Sequence, residues 1–358
     1  MNVSFSTTAL SVLLLLAMAI PGFLVIKTKV VKASVISGFA AVLLYVSQPF
    51  LSLRSFLQVE FTKTIAINLL IVFAASLVFQ AVLFLIMWLI FRSRFDDLLE
   101  TEKFKAEGYF NGESGVEIDY KSLPDDVKKS ARGRAYRMMV LTSTFGNVGF
   151  FGIPILQVLF SDPSVAAPAI AYASMYVVTM NLMFWTVGAY VITGDKQFIS
   201  IKKAILNPQT ITLVVAIPLF FGGITMTDIT SCPVPQIATA INYLADSTAP
   251  LSMIILGMRF ALVPIKDVFS NWRVYVSSGV KLIIFPILVW AILLPIPMDA
   301  LMKMVLIILS GMPAATFNLN LAEMFNGDQK NAANTILFST LFSMLTIPAI
   351  VMLAQVSL

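Results

Sequence analysis

The chain has 358 residues, 58% of them hydrophobic and only 12% charged, more apolar surface than a soluble fold of this length can hide, so lipid must cover much of it. There is no histidine and a single cysteine, Cys232, which excludes an intrachain disulfide and any metal site needing several imidazole or thiolate ligands. The net charge of +5 is distributed as membrane topology requires, so no nucleic-acid partner is implied.

In chain order, the first apolar run covers 8–26. Its Ala17-Met18-Ala19 resembles a signal-cleavage site, yet residues 1–8 carry no positive side chain, and Lys27, Lys29 and Lys32 follow the run. That charge order predicts a retained span with its N-terminus outside. Spans two and three are predicted at 34–56 and 64–91, completing a first unit over 1–91. Residues 92–134, rich in both charge signs with Gly108, Gly112, Gly115 and Pro124 as breakers, form a cytoplasmic loop. It is expected to be a solvated connector, with a regulatory or partner-binding role as the alternative. Spans four and five follow at 137–160 and 166–192, within 135–192. The remaining five fall within 209–358, at 209–226, 237–261, 273–294, 299–325 and 331–355.

Lys and Arg crowd the odd-to-even connections: Lys27 to Lys32, Arg92 to Arg137, Lys196 to Lys203, Arg259 to Arg273, and Lys330. The opposite side holds only Arg54, Lys63 and Lys303. This bias predicts a multi-pass plasma-membrane protein, of the bacterial inner-membrane kind, with both termini outside and 92–134 in the cytoplasm.

The two halves share landmarks in the same order. Ala19-Ile20-Pro21-Gly22-Phe23 is echoed by Ala216-Ile217-Pro218-Leu219-Phe220, and Leu159-Phe160-Ser161-Asp162 by Met324-Phe325-Asn326-Gly327-Asp328. Five spans per half is an odd number, so the second copy must enter the membrane with the opposite polarity. The predicted fold is an all-α integral membrane protein of ten transmembrane helices in a 5+5 inverted repeat. Such repeats place a binding site at their interface near the midplane.

Span four carries Asn147, Gly149, Gly152 and Pro154; span nine carries Gly311, Pro313, Thr316, Asn318 and Asn320. Glycine loosens the backbone and proline removes a donor, so both helices are expected to break near their centres. Backbone freed at that depth is tolerated only where it lines a cavity or is buried in protein. Half-helix N-termini meeting there suit a carboxylate, and Asn147, Thr316, Asn318 and Asn320 would add hydrogen bonds.

Asn-x-Gly-x-x-Gly-Ile-Pro in span four, Gly-x-Pro-Ala-Ala-x-x-Asn in span nine, and Ala249-Pro250-Leu251-Ser252 through Gly257 in span seven resemble the auxin efflux carrier family. That family includes plant auxin exporters and bacterial carriers proposed for malate and malonate. The resemblance covers essentially the whole chain. It implies that the broken helices four and nine cross at the site, with Asn147, Gly152, Pro154, Pro313 and Asn318 at the crossover. It also implies a scaffold of spans one, two, six and seven, a moving transport domain of the other six, and a homodimer through the scaffold. The plant members carry an acidic residue and a lysine in span three, where this chain has only Asn68, Ser76 and Gln80. A carboxylate proton relay in that span is therefore not expected.

Two further intramembrane charges stand out. Lys281 in span eight has four readings: it neutralises a bound carboxylate, it takes the part of a coupling cation by shuttling on and off, it snorkels to the cytoplasmic interface, or it pairs with a carbonyl. Asp246 in span seven reads as an ion-coupling group, as the partner of a cation, or as a group facing the outer vestibule. The expected function is a secondary carrier or facilitator of small organic anions, carboxylates above all, without a cofactor and without enzymatic activity. The alternatives are a sodium-coupled symporter of the bile-acid carrier type and a transporter-like membrane sensor.

Overall fold

The computed structural model describes residues 5–95, 125–160, 162–231, 233–264, 268–269 and 271–356. Most of the predicted loop 92–134, and Cys232, lie outside the described residues. The described chain is helical. Thirteen segments carry the fold: α1 (Thr8–Lys27), α2 (Val35–Leu57), α3 (Lys63–Arg94), α4 (Asp125–Thr144), α5 (Val148–Leu159), α6 (Pro163–Thr193) and α7 (Lys196–Phe221). They continue with α8 (Gln236–Asp246), α9 (Thr248–Phe260), α10 (Trp272–Leu293), α11 (Ala300–Ser310), α12 (Phe317–Met324) and α13 (Gln329–Val356).

Seven of these, α1, α2, α3, α6, α7, α10 and α13, are long and apolar enough to cross a membrane. The other expected spans are each divided in two: α4 and α5, α8 and α9, α11 and α12. Many large apolar side chains on the long helices are exposed, among them Leu10, Leu14, Leu70, Ile90, Val214 and Leu345, as a lipid-facing surface requires.

Polar caps set where several helices begin. Asp162 accepts from the Ser164 amide at 2.9 Å ahead of Pro163 in α6, and the Ser164 hydroxyl with that amide holds its carboxyl below the usual carboxylate range. Asp299 accepts from Met302 N–H at 3.1 Å at the start of α11, and Asn271 from Arg273 N–H at 3.1 Å at the start of α10. Such side-chain acceptors satisfy amides that no preceding turn can reach.

Span six, expected at 209–226, forms the helix Pro208–Phe221, and short helical turns precede it in the 26-residue stretch Lys196–Phe221. Inside it the helix is capped afresh: Asn207 Oδ1 accepts from Gln209 N–H at 3.0 Å, with Pro208 at the first helical position. Gly222 and Gly223, the latter at φ 68°, end it. Lys196, Lys202 and Lys203 belong to its opening turns, where Ile201, Ile205 and Leu206 are exposed.

The helices pack in two groups, bridged by the first half of α1, which lies on α13 and α5. The second half of α1 lies on α9, and α2 packs on α7, α8 and α9. In the other group, α3 packs on α4 and α6, α11 on α6 and α13, and α10 on α4, α11 and α13. The α1–α9 approach is a backbone contact: a Cβ on Gly22 would stand 2.0 Å from the Ile254 carbonyl oxygen, and one on Gly257 1.8 Å from that of Ala19. Small residues permit such closeness between membrane helices. The lower part of α6 also meets α2 across the two groups, where the Ser52 and Ser174 hydroxyls lie 3.0 Å apart.

Candidate functional site

Both glycine- and proline-rich segments break, and the two breaks meet. Between α4 and α5 the chain leaves the helix at Phe145-Gly146-Asn147; between α11 and α12 it does so from Gly311 to Thr316. These segments pair antiparallel at Gly146 and Ala314. Asn147 N–H donates to Pro313 O at 2.6 Å and Ala315 N–H to Phe145 O at 2.9 Å. Asn318, fully buried, adds its Nδ2 to Phe145 O at 3.4 Å. The backbone groups freed by each break thus find partners in the other, which is what lets a non-helical segment sit deep in an apolar protein.

The break in span four falls upstream of most of the residues expected to cause it. Gly149 and Gly152 belong to a π-helical turn, Val148–Gly152, and Pro154 to the first turn of the α-helical part that follows. Just ahead of it Ile153 N–H bonds Val148 O five residues back, so the π-helical turn accommodates the proline inside α5 and the chain leaves the helix upstream instead.

The crossing has two chemically distinct sides. On one, the starts of α5 and α12 border a cavity of about 140 Å³ whose wall includes Gln48, Asn147, Asn181, Trp185, Gln209, Thr316 and Asn320. That volume is well below the roughly 300–1,000 Å³ of sites for drug-sized ligands, so it selects for a small solute. Three cavity-lining side chains carry a buried N–H donor without an acceptor: Gln48 Nε2, Asn147 Nδ2 and Trp185 Nε1. Buried polar groups are nearly always hydrogen-bonded, so three unpartnered donors on residues around one space are a feature the site has to explain. On the other side, the ends of α4 and α11 present carbonyls to Lys281, whose Nζ donates to Thr144 O at 3.2 Å and Ser310 O at 3.0 Å.

Of the residues singled out in the sequence, Asn147, Gly149, Thr316 and Asn320 line the cavity. Pro313 serves the crossing through its carbonyl and Asn318 through its amide. Gly152 packs away from the cavity, where a Cβ would stand 3.0 Å from Leu309 and 3.1 Å from Met312. Lys281 is fully buried and does not line the cavity. Asp246 lies apart from the crossing, paired with Arg54 at 2.6 Å and with its side chain 63% exposed.

Several cavity residues escaped the sequence reading. Trp185 sits at the start of a π-helical turn in α6, stacked edge-on against Phe317 and beneath the Lys203 ammonium, 5.1 Å from its ring centre. Asn207 and Gln209 come from the re-capped turn of α7; Gln209 Nε2 also donates to Ser52 Oγ. Arg259 of α9 holds Asn320, its Nη2 lying 3.2 Å from Asn320 Oδ1. The Asn-Pro pair inside the apolar stretch was the available signal for the α7 residues. Phe145, Phe184 and Phe317 stack in a column beside the cavity, with centroids 4.2 and 4.8 Å apart, tying α6 and α12 to the break after α4.

Among the described residues, no three Asp, Glu or Cys side chains gather where they could hold a metal ion. Long apolar helices, two interrupted helices paired at their breaks, and a small cavity at that junction describe a multi-pass membrane protein. The chain belongs to the membrane transport protein family, whose family model matches residues 130–351; this is the auxin efflux carrier-like family that the motifs resemble. It is similar to an uncharacterized transporter of Methanocaldococcus jannaschii, 30% identical over 214 residues, covering 58% of this chain and 65% of that protein. It is also similar to a Rhizobium meliloti protein named "Putative malonate transporter", 25% identical over 225 residues, covering 61% of this chain and 67% of that one. The chain thus spans about two thirds of the length of the curated relatives it matches.

Proposed function

We propose that this protein is a secondary carrier of small carboxylates, with the anion seated in the cavity between the starts of α5 and α12. The observation that carries the reading is the trio of unpartnered donors, Gln48 Nε2, Asn147 Nδ2 and Trp185 Nε1, on the wall of one cavity. A carboxylate offers about four acceptor positions and no donor, and a hydrogen bond to a charged group contributes about 1.5–3 kcal/mol. Two half-helix N-termini add partial positive charge without a fixed cation. The relative named for malonate supports the same substrate class.

The packing supports a reading of the transport cycle. Joined across their breaks, α4 with α5, α8 with α9 and α11 with α12 give ten spans, five per half, and therefore an inverted repeat. Both termini then lie outside and residues 92–134 in the cytoplasm. In this reading α1, α2, α7, α8 and α9 are the scaffold, and the remaining helices are the body that moves past it in an elevator-like step. The cavity, with wall residues from both groups, is where such a movement would change access.

The test is uptake of labelled C3 and C4 carboxylates, malonate among them, into proteoliposomes. Uptake should saturate, and Asn147→Ala should abolish it in a protein that still elutes as a monodisperse peak. Undiminished uptake by that variant would refute the site.

A further inference from the structure

The Lys281 side of the crossing has no part in holding the anion, yet it contains a fully buried ammonium. Its two hydrogen-bond acceptors are the last carbonyls of α4 and α11, Thr144 O and Ser310 O. The face of Phe285 lies 4.6 Å away. Among the described residues no carboxylate pairs with Lys281, whose partners are these two carbonyls and the Phe285 ring. What faces the ammonium is the negative end of two half-helices, whose final carbonyls have no partner within their own helix.

Carbonyls of unwound backbone and half-helix C-terminal ends are the groups that coordinate sodium in carriers built on broken helices. Here the same kind of ring is filled by a side chain. The surroundings are shaped to it: a Cβ on Gly146 would stand 2.8 Å from Lys281 Cε and 2.9 Å from its Nζ. On α3, Gln80 Nε2 and Ser76 Oγ bond Thr179 Oγ1 at 2.8 and 2.9 Å, so neither is a partner of Lys281.

We propose that the Lys281 ammonium is a tethered cation standing where a coupling sodium ion would sit, so that the two breaks are held together, and the carrier works, without sodium. The second half of this statement rests on the carrier reading above; the first half does not. An ion that is covalently attached cannot be released to either side, so a sodium gradient has nothing to act on at this crossing.

The experiment is thermal melting of the purified full-length protein in sodium chloride against choline chloride at equal ionic strength. The wild type should melt at the same temperature in both. Lys281→Ala should melt several degrees lower in choline, and sodium or n-propylammonium chloride should restore part of the loss by refilling the carbonyl ring. Lys281→Arg, which keeps a cation within reach, should lose less than Lys281→Ala. A dose-dependent stabilisation of the wild type by sodium over choline would overturn the proposal, and so would Lys281→Ala melting with the wild type in choline. If Lys281→Ala does not fold, the wild-type sodium titration still decides. Failure of every carboxylate to shift the wild-type melting temperature would count against the carrier reading and leave the cation result standing.

Discussion

The α1–α9 contact allows a quantitative forecast. A Cβ on Gly257 would lie 1.8 Å from Ala19 O, 2.7 Å from Ala19 C and 2.9 Å from Phe23 N, all of them backbone atoms that cannot rotate away. Reaching an ordinary contact of about 3.3 Å requires the helices to part by about 1.5 Å. A gap of 0.5–1 Å already forfeits about a quarter to a half of each dispersion contact. Overpacking of a tight interface costs about 1–3 kcal/mol, and rigid neighbours place Gly257→Ala at the upper end. Gly38 and Gly279 are helical glycines with nothing within 4 Å of the added Cβ, so alanine there should stabilise by about 0.5–1 kcal/mol. Melting of the four single variants in one detergent should rank Gly38→Ala and Gly279→Ala at or above the wild type, with Gly22→Ala and Gly257→Ala well below it. One separation relieves both clashes, so the Gly22→Ala/Gly257→Ala double variant should lose less than the sum of its parts. Gly257→Ala melting at or above Gly38→Ala would refute the close-packing argument.

Other outcomes follow from the site. Gln48→Met and Trp185→Phe each remove a donor that has no partner in the empty cavity. Each should therefore weaken carboxylate binding about tenfold or more, as loss of a hydrogen bond to a charged group implies, without a matching loss of melting temperature. Arg259→Met and Asn320→Ala should impair uptake to a similar degree, and the double variant little further, because Arg259 acts by holding Asn320. The Arg54–Asp246 pair is largely exposed on its acidic side and such pairs contribute at most about 1 kcal/mol. Asp246→Asn should accordingly leave both melting and uptake close to the wild type; a large loss of uptake would point instead to an ion-coupling role.

The breaks themselves were legible because glycine and proline act locally. Clustering Gly146, Gly149 and Gly152, or Gly311 with Pro313, in the middle of an apolar run leaves a helix few ways to continue. Which residue ends the helix was not legible: Pro154, expected as a breaker, lies inside α5, where the preceding π-helical turn accommodates it. The cavity wall was half legible. Asn147 and Thr316 belong to the breaks, but Trp185 and Gln209 reach the cavity only through packing of α6 and α7 against them. Span six starts beside its expected position, at Pro208, but the short helical turns ahead of it were not legible, because Lys196, Lys202 and Lys203 read as a loop. Pairings between residues far apart in sequence, such as Arg54 with Asp246 or Lys281 with Thr144, depend on how the two halves interlock. No local pattern encodes them.

The central claim is that the cavity receives a small carboxylate on unpartnered donors. Its most direct test is a thermal-shift titration of the purified wild type with malonate, malate, succinate and lactate, each beside its neutral amide. Binding raises stability logarithmically with ligand concentration over its dissociation constant, so even weak ligands register at high concentration. The account predicts that at least one acid raises the melting temperature dose-dependently, that its amide does not, and that Gln48→Met blunts the effect. Amides that stabilise as well as the acids, or a shift unchanged in Gln48→Met, would contradict it.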